Sequence, residues 1–82
     1  MTFETMCSFD GVLYDLAFYG HMYHEEGQWN CKEVVFKIVQ DDQGREIDFK
    51  RLPIHVREAL ETVAAEYLVD HYMDQELRLE GL

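Results

Sequence analysis

Positive charge is what this sequence has least of. Its 82 residues carry seven Lys and Arg against seventeen Asp and Glu, a formal net charge of −10. Residues 1–31 hold five acids and no base, and residues 58–82 hold seven acids and one base, Arg78. Phosphate contacts and anionic lipid surfaces both need clustered Lys and Arg. Direct nucleic-acid binding and a membrane surface are therefore not expected. No apolar run approaches the roughly 20 residues that cross a bilayer, and no charged-then-apolar leader opens the chain. Two cysteines are too few for a secreted disulfide framework, so a reduced, cytoplasmic setting is the expectation. The chain also has no phosphate-cradling Gly loop, no Rossmann fingerprint and no EF-hand spacing, and no cofactor is expected.

What is present is apolar and aromatic enough to fold: 48% hydrophobic and 13% aromatic residues, against the low hydrophobicity of disordered chains. The longest pattern lies in the last third. Leu60, Val63, Ala64, Tyr67, Leu68, His71 and Tyr72 recur at helical spacing, which predicts one amphipathic helix over about 53–77. Pro53 suits the first helical position, where its missing N–H costs nothing. On the opposite side Glu58, Thr62, Glu66, Asp70 and Asp74 form a row spaced by four. Like charges at that spacing cost roughly 0.2–0.5 kcal/mol per pair, and acids late in a helix oppose its dipole. A merely solvated face would mix in bases.

The segments before the helix alternate like strands. Residues 2–9 place Phe3, Thr5, Cys7 and Phe9 on one side, and Asp10-Gly11 is the dipeptide of a two-residue type I′ hairpin. Residues 12–19 place Val12, Tyr14, Leu16 and Phe18 inward. A strand over about 33–40 faces Val34, Phe36 and Ile38 inward, and Asp41-Asp42-Gln43-Gly44 is turn chemistry. A fourth strand over about 45–50 follows, with Ile47 and Phe49 inward. The expected fold is one α+β domain, residues 1–82: a four-stranded antiparallel meander of two hairpins, packed by one long C-terminal helix.

Two geometric consequences follow. About 25 helical residues span roughly 37 Å, and strands of six to eight residues only about 20–27 Å. The helix either breaks near Val69 to His71 or overhangs, leaving Tyr72, Met73, Leu77 and Leu79 to seek a partner. One helix also covers one face of the sheet, so the other is expected to expose some of Leu13, Tyr19, Val35 and Val39. That patch suggests a homodimer.

Between the hairpins, residues 20–31 break the alternation and read as a loop, or as a second strand running on to about His24. Tyr23, Glu25, Glu26 and Trp29 make it a candidate binding loop, although Trp29 could simply plug the end of the core. Cys7, His21, His24 and Cys31 are donors suited to tetrahedral zinc, but the paired-cysteine spacing of a zinc ribbon is absent. Cys31 with His24 and Asp10 would need a deep pocket to act as a nucleophilic triad. Glu25-Glu26 and Asp41-Asp42 lack calcium-ligand spacing. The protein is expected not to be an enzyme.

Ser8-Phe9-Asp10-Gly11-Val12-Leu13-Tyr14-Asp15, the stretch Tyr23 to Trp29 and the strand Val34 to Val39 resemble the small acidic proteins of unknown function encoded by tailed phages and prophages. The resemblance covers about the first forty residues and implies a phage accessory or anti-defence setting, without site residues to carry over. Two roles fit the charge. In one, Glu58, Glu61, Glu66, Asp70, Asp74 and Glu76 present phosphate-like charge to a basic, nucleic-acid-binding site on a host protein, as a nucleic-acid mimic does. In the other, the chain is a structural or assembly homo-oligomer whose acids serve solubility.

Overall fold

A computed structural model describes the backbone of residues 1–80 and the side chains of residues 1–75. Three strands form one antiparallel sheet in the order β1-β2-β3, with β1 at Phe3–Phe9, β2 at Val12–Glu25 and β3 at Gln28–Asp41. A 3-10 turn at Phe49–Arg51 leads into the single helix, α1, at Ile54–Glu80. The α+β class is as expected, but the fourth strand is not formed.

The first hairpin closes as its dipeptide predicts, with Asp10 at φ 52° and Gly11 at φ 76°, the paired positive angles of a type I′ turn. The second hairpin is formed by β2 with β3, not by residues 33–40 with 45–50. Glu26 at φ 53° and Gly27 at φ 78° make the same turn between β2 and β3, so of the two alternatives for residues 20–31 the second strand running on past His24 is the one observed, and the loop is not. The register explains why the alternation fails there. His21 pairs with Glu33 and Met22 with Cys31, which leaves Lys32 as an extra residue. Ala17 pairs with Ile38 and Phe18 with Phe36, which leaves Lys37 as a second one. Each extra residue is a β-bulge, and each resets which side chains face the helix. On β2 the helix-facing residues Tyr14, Leu16, Phe18, Gly20 and Met22 alternate without interruption. Their partners on β3 are Asp41, Val39, Phe36, Val34 and Cys31. Val39 is therefore inward, at 2% exposure, and Ile38 outward, at 42%. Both assignments from simple alternation are reversed.

The chain after β3 turns but does not return as a strand. Asp41 Oδ1 accepts from the N–H groups of Gln43 and Arg45, both at 2.9 Å, and Gly44 adopts φ 80°. Only Gln40 and Glu46 then form a bridge, with Ile47 N–H donating to the Val39 carbonyl at 2.7 Å. Asp48 ends the pairing. Its Oδ1 accepts from Lys50 N–H at 3.1 Å and caps the 3-10 turn, a local bond that competes with the ladder. Ile47 and Phe49 still reach the core, from over the edge of β3 instead of from within a strand.

Helix α1 is unbroken, and Pro53 stands just before it as the cap, its carbonyl accepting from Val56 and Arg57 N–H at 3.0 Å each. Val56, Leu60, Ala64 and Leu68, spaced by four, are buried against Tyr14, Leu16, Phe18 and Val39. The β2–β3 hairpin runs beneath the helix as far as Tyr72, so that residue of the expected overhang is covered. Trp29 at the hairpin end meets Tyr72, ring centroids 5.0 Å apart, while Met73 stays exposed. The side chains of Leu77 and Leu79 lie outside the described residues. From there an aromatic row runs along the interface through His71, Phe3, Tyr67, Phe18, Phe36 and Phe49. The opposite face of the sheet leaves Met6 and Ile38 exposed beside half-buried Leu13, Tyr19 and Val35.

Gly20 sets how closely the helix approaches. A Cβ there would run into Leu68 Cδ1, and the carbonyl oxygen of Glu33 lies 3.3 Å away on another side. Leu68 is fully buried and has no room to retreat. Gly20→Val is expected to destabilise the fold by about 1–3 kcal/mol through overpacking. The urea unfolding midpoint measures it, and an unchanged midpoint would show that the helix can lift away at this point.

Candidate partner-binding surface

The carboxylate row follows from helical spacing, and the structure leaves it in solvent. Glu58, Thr62, Glu66, Asp70 and Asp74 are all exposed, as is Glu61, one turn from Glu58 and next to Thr62. Thr62 turns its hydroxyl back to the Glu58 carbonyl at 2.9 Å, as helical threonines do. Among the described residues Glu58, Glu61, Glu66 and Asp70 form no ion pair. The side chain of Glu76 lies outside the described residues.

The four residues assigned to a binding loop sit on the hairpin end instead. Tyr23 and Glu25 close β2, opposite Asn30 and Gln28; Glu26 is the first turn residue; Trp29 opens β3 opposite His24. Trp29 is half-buried between the His24 and Tyr72 rings, at 5.1 and 5.0 Å. The reading of Trp29 as a plug of the core end agrees with this packing, and Trp29 also lines a surface cleft. That cleft is lined by Tyr23, Trp29, Asn30, Cys31, Ala65, Glu66, Val69 and Asp70. Two residues of each candidate group therefore meet in one place: Tyr23 and Trp29 from the hairpin, Glu66 and Asp70 from the helix. Small Ala65 and Val69, one helical turn apart, form the floor between them. Glu25 and Glu26 lie beyond, at the hairpin tip, and Glu58 and Glu61 border a separate cleft with Lys32, Glu33 and Val34.

The zinc set does not assemble. Cys7 pairs with Tyr14 and Cys31 with Met22, eight residues further along β2, a separation of roughly 26 Å. His21 lies on the face away from the helix, its ring against Tyr19 at 5.8 Å, and His24 lies on the other. No group of three His, Cys, Asp or Glu placed to hold a metal occurs among the described residues. Asp10 is likewise distant from His24 in the fold; its Oδ2 lies 3.0 Å from His55 Nε2, which ties the first turn to the start of α1.

Two further residues help build the cleft: Asn30, which the sequence did not single out, and Cys31, which it offered only as a metal donor or nucleophile. Asn30 enters it because the hairpin end is strand. Cys31 faces the helix and its thiol donates to the Glu33 carbonyl at 3.5 Å. Burial pushes the Cys7 and Cys31 thiols above the ordinary thiol range, because it disfavours the charged form. A raised value means less thiolate at neutral pH than an unfolded chain carries. Iodoacetamide is therefore expected to modify both cysteines more slowly in the native protein than in urea, the gap narrowing as pH rises. Mass spectrometry of timed aliquots measures it, and equal rates in both states would contradict the burial.

No known protein family, curated protein or solved structure matches this chain. No described helix is long and apolar enough to cross a membrane. The chemistry of the cleft must speak for itself. Two carboxylates beside an indole and a phenol suit a cationic side chain: the acids supply charge-assisted hydrogen bonds and the rings offer their negative faces.

Proposed function

We propose that the protein is a non-enzymatic binding module that docks a basic protein surface, with an Arg or Lys of the partner seated between Tyr23, Trp29, Glu66 and Asp70. The observation that carries this reading is the cleft, where acids from the helix and aromatic rings from the hairpin converge. Glu58, Glu61 and Asp74, exposed on the same helix, extend the negative field that steers a basic partner toward it. Glu25 and Glu26 add charge at the hairpin tip. In the phage setting that the resemblance of the first forty residues implies, the partner is a host protein in the bacterial cytoplasm. The acidic face then occupies that protein's nucleic-acid-binding site as a mimic.

Trp29 is the sole tryptophan of the chain, so its emission reports on this cleft. Titration with an arginine-rich peptide at low salt is expected to change Trp29 fluorescence saturably. The response should weaken steeply as salt approaches about 1 M, where the screening length falls to about 3 Å. Glu66→Lys combined with Asp70→Lys should abolish it while leaving the circular dichroism of the fold intact. If the folded double variant binds the peptide as the natural chain does, the cleft is not the docking site.

A further inference from the structure

β3 is an edge strand, and its outer side is open for part of its length. The Val39 carbonyl accepts from Ile47 N–H at 2.7 Å, so the main-chain groups of Val39 point away from β2. Leu16, Phe18 and Gly20 follow one another in strict alternation along β2 and face Val39, Phe36 and Val34. Phe36 and Val34 therefore also turn their N–H and C=O groups outward. Neither has a backbone partner on that side among the described residues. The open interval borders a groove between Glu33–Val39 and the chain at Glu46–Lys50. Exposed edges of this kind invite another strand unless charge or bulges prevent it.

We infer that this edge is the interface between two copies of the chain, joined as antiparallel β3 strands about a two-fold axis through Val35. The charge pattern specifies that register. With Val35 opposite itself, Val34 faces the second copy's Phe36 and both outward amide sets are satisfied. Glu33 then stands opposite Lys37 of the other copy, twice over by symmetry. An axis at Val34 sets Glu33 against Val35 and Lys32 against Phe36. An axis at Phe36 sets Val35 against Lys37 and faces Val34 with Ile38, whose amide groups point toward β2. Only the Val35 axis pairs opposite charges.

Glu33, Val35 and Lys37 all lie on the face away from the helix, where Lys37 Nζ sits 5.7 Å from the Tyr19 ring centroid. Long-range charge favours the same place. Residues 32–57 hold six of the seven bases against five acids, so this edge lies in the least negative part of a chain of net charge −10. The other edge strand, β1, carries Glu4 and no base, and offers no opposite charges to pair. The bulges at Lys32 and Lys37 and the chain at Glu46–Ile47 limit pairing to about five residues. The dimer is therefore of modest, roughly micromolar affinity. This inference goes beyond the cation cleft and does not depend on it.

Sedimentation of the full chain over low to high micromolar concentrations tests it, with native mass spectrometry for mixed species. The natural chain should dimerise with concentration. Glu33→Lys and Lys37→Glu, both at exposed positions, should each raise the dimer Kd about tenfold or more, with circular dichroism unchanged. Mixed in equal amounts, the two variants should form a heterodimer about as stable as the natural dimer, because Lys at 33 then meets Glu at 37 and Lys37 meets Glu33. A natural chain that stays monomeric throughout overturns the inference. So do single variants that dimerise undiminished, or a mixture that gains nothing over either alone.

Discussion

One constraint organises this molecule: a single helix must stay in contact with a twisting two-stranded ribbon from Val56 to Tyr72. Val56, Leu60, Ala64 and Leu68 form a stripe along α1, and an unbroken alternation on β2 keeps Tyr14, Leu16, Phe18, Gly20 and Met22 beneath it. β3 could not follow β2 with a plain alternation. It takes up the mismatch in two bulges, at Lys32 and Lys37, each of which adds local twist. Gly20 lets Leu68 settle directly onto the sheet. The rest of the architecture follows from keeping these two elements in phase. The hairpin grows until Trp29 meets Tyr72, and the remaining chain folds over the edge of β3 because the helix already occupies the sheet's inner face.

Those bulges also explain which parts of the fold were legible in the sequence. The first hairpin was, because β1 and the proximal half of β2 alternate cleanly and Asp10-Gly11 is the preferred turn. The helix was, because its stripe holds for several turns. The distal hairpin was not. On β3 the helix-facing residues are Trp29, Cys31, Val34, Phe36 and Val39, a series that no period of two can reproduce. Glu26 is also an unusual first residue for a type I′ turn, where Asn, Asp or Gly is the rule. The fourth strand failed for another reason. Asp48 satisfied a nearby amide and began a 3-10 turn, a choice local alternation does not reveal. The acidic helix face could be read directly from its spacing. The cleft could not, since Tyr23 and Glu66 meet only once the ribbon is known to reach so far.

Charge in this chain is sorted by element more than by sequence position. The helix from Glu58 onward and the hairpin tip are acidic, whereas β3 and the chain between β3 and α1 carry five of the seven Lys and Arg. Fold stability alone does not call for that arrangement. Like charges four residues apart on a helix are mildly unfavourable, and basic residues on the helix surface would relieve them at no cost to the core. Their scarcity there, where only Arg57 and Arg78 occur, with Lys32 and Lys37 on β3, gives the molecule two surfaces of different character that can act independently.

The two surfaces are compatible in one geometry. An antiparallel pairing of β3 strands within one sheet has its two-fold axis perpendicular to the sheet. Both helices then lie on the same side of a continuous six-stranded sheet, and the two cation clefts open toward the same half-space. Each cleft lies at the far end of its hairpin from the β3 turn at Asp41–Gly44, so the axis through Val35 places the two clefts toward opposite ends of the assembly. A partner with basic groups on both sides of a nucleic-acid channel could engage both clefts at once. The second contact would then be intramolecular and strengthened by effective concentration rather than by any new interaction. Weak edge pairing between copies and weak capture of single cations would in that case be sufficient, because neither has to hold the complex alone.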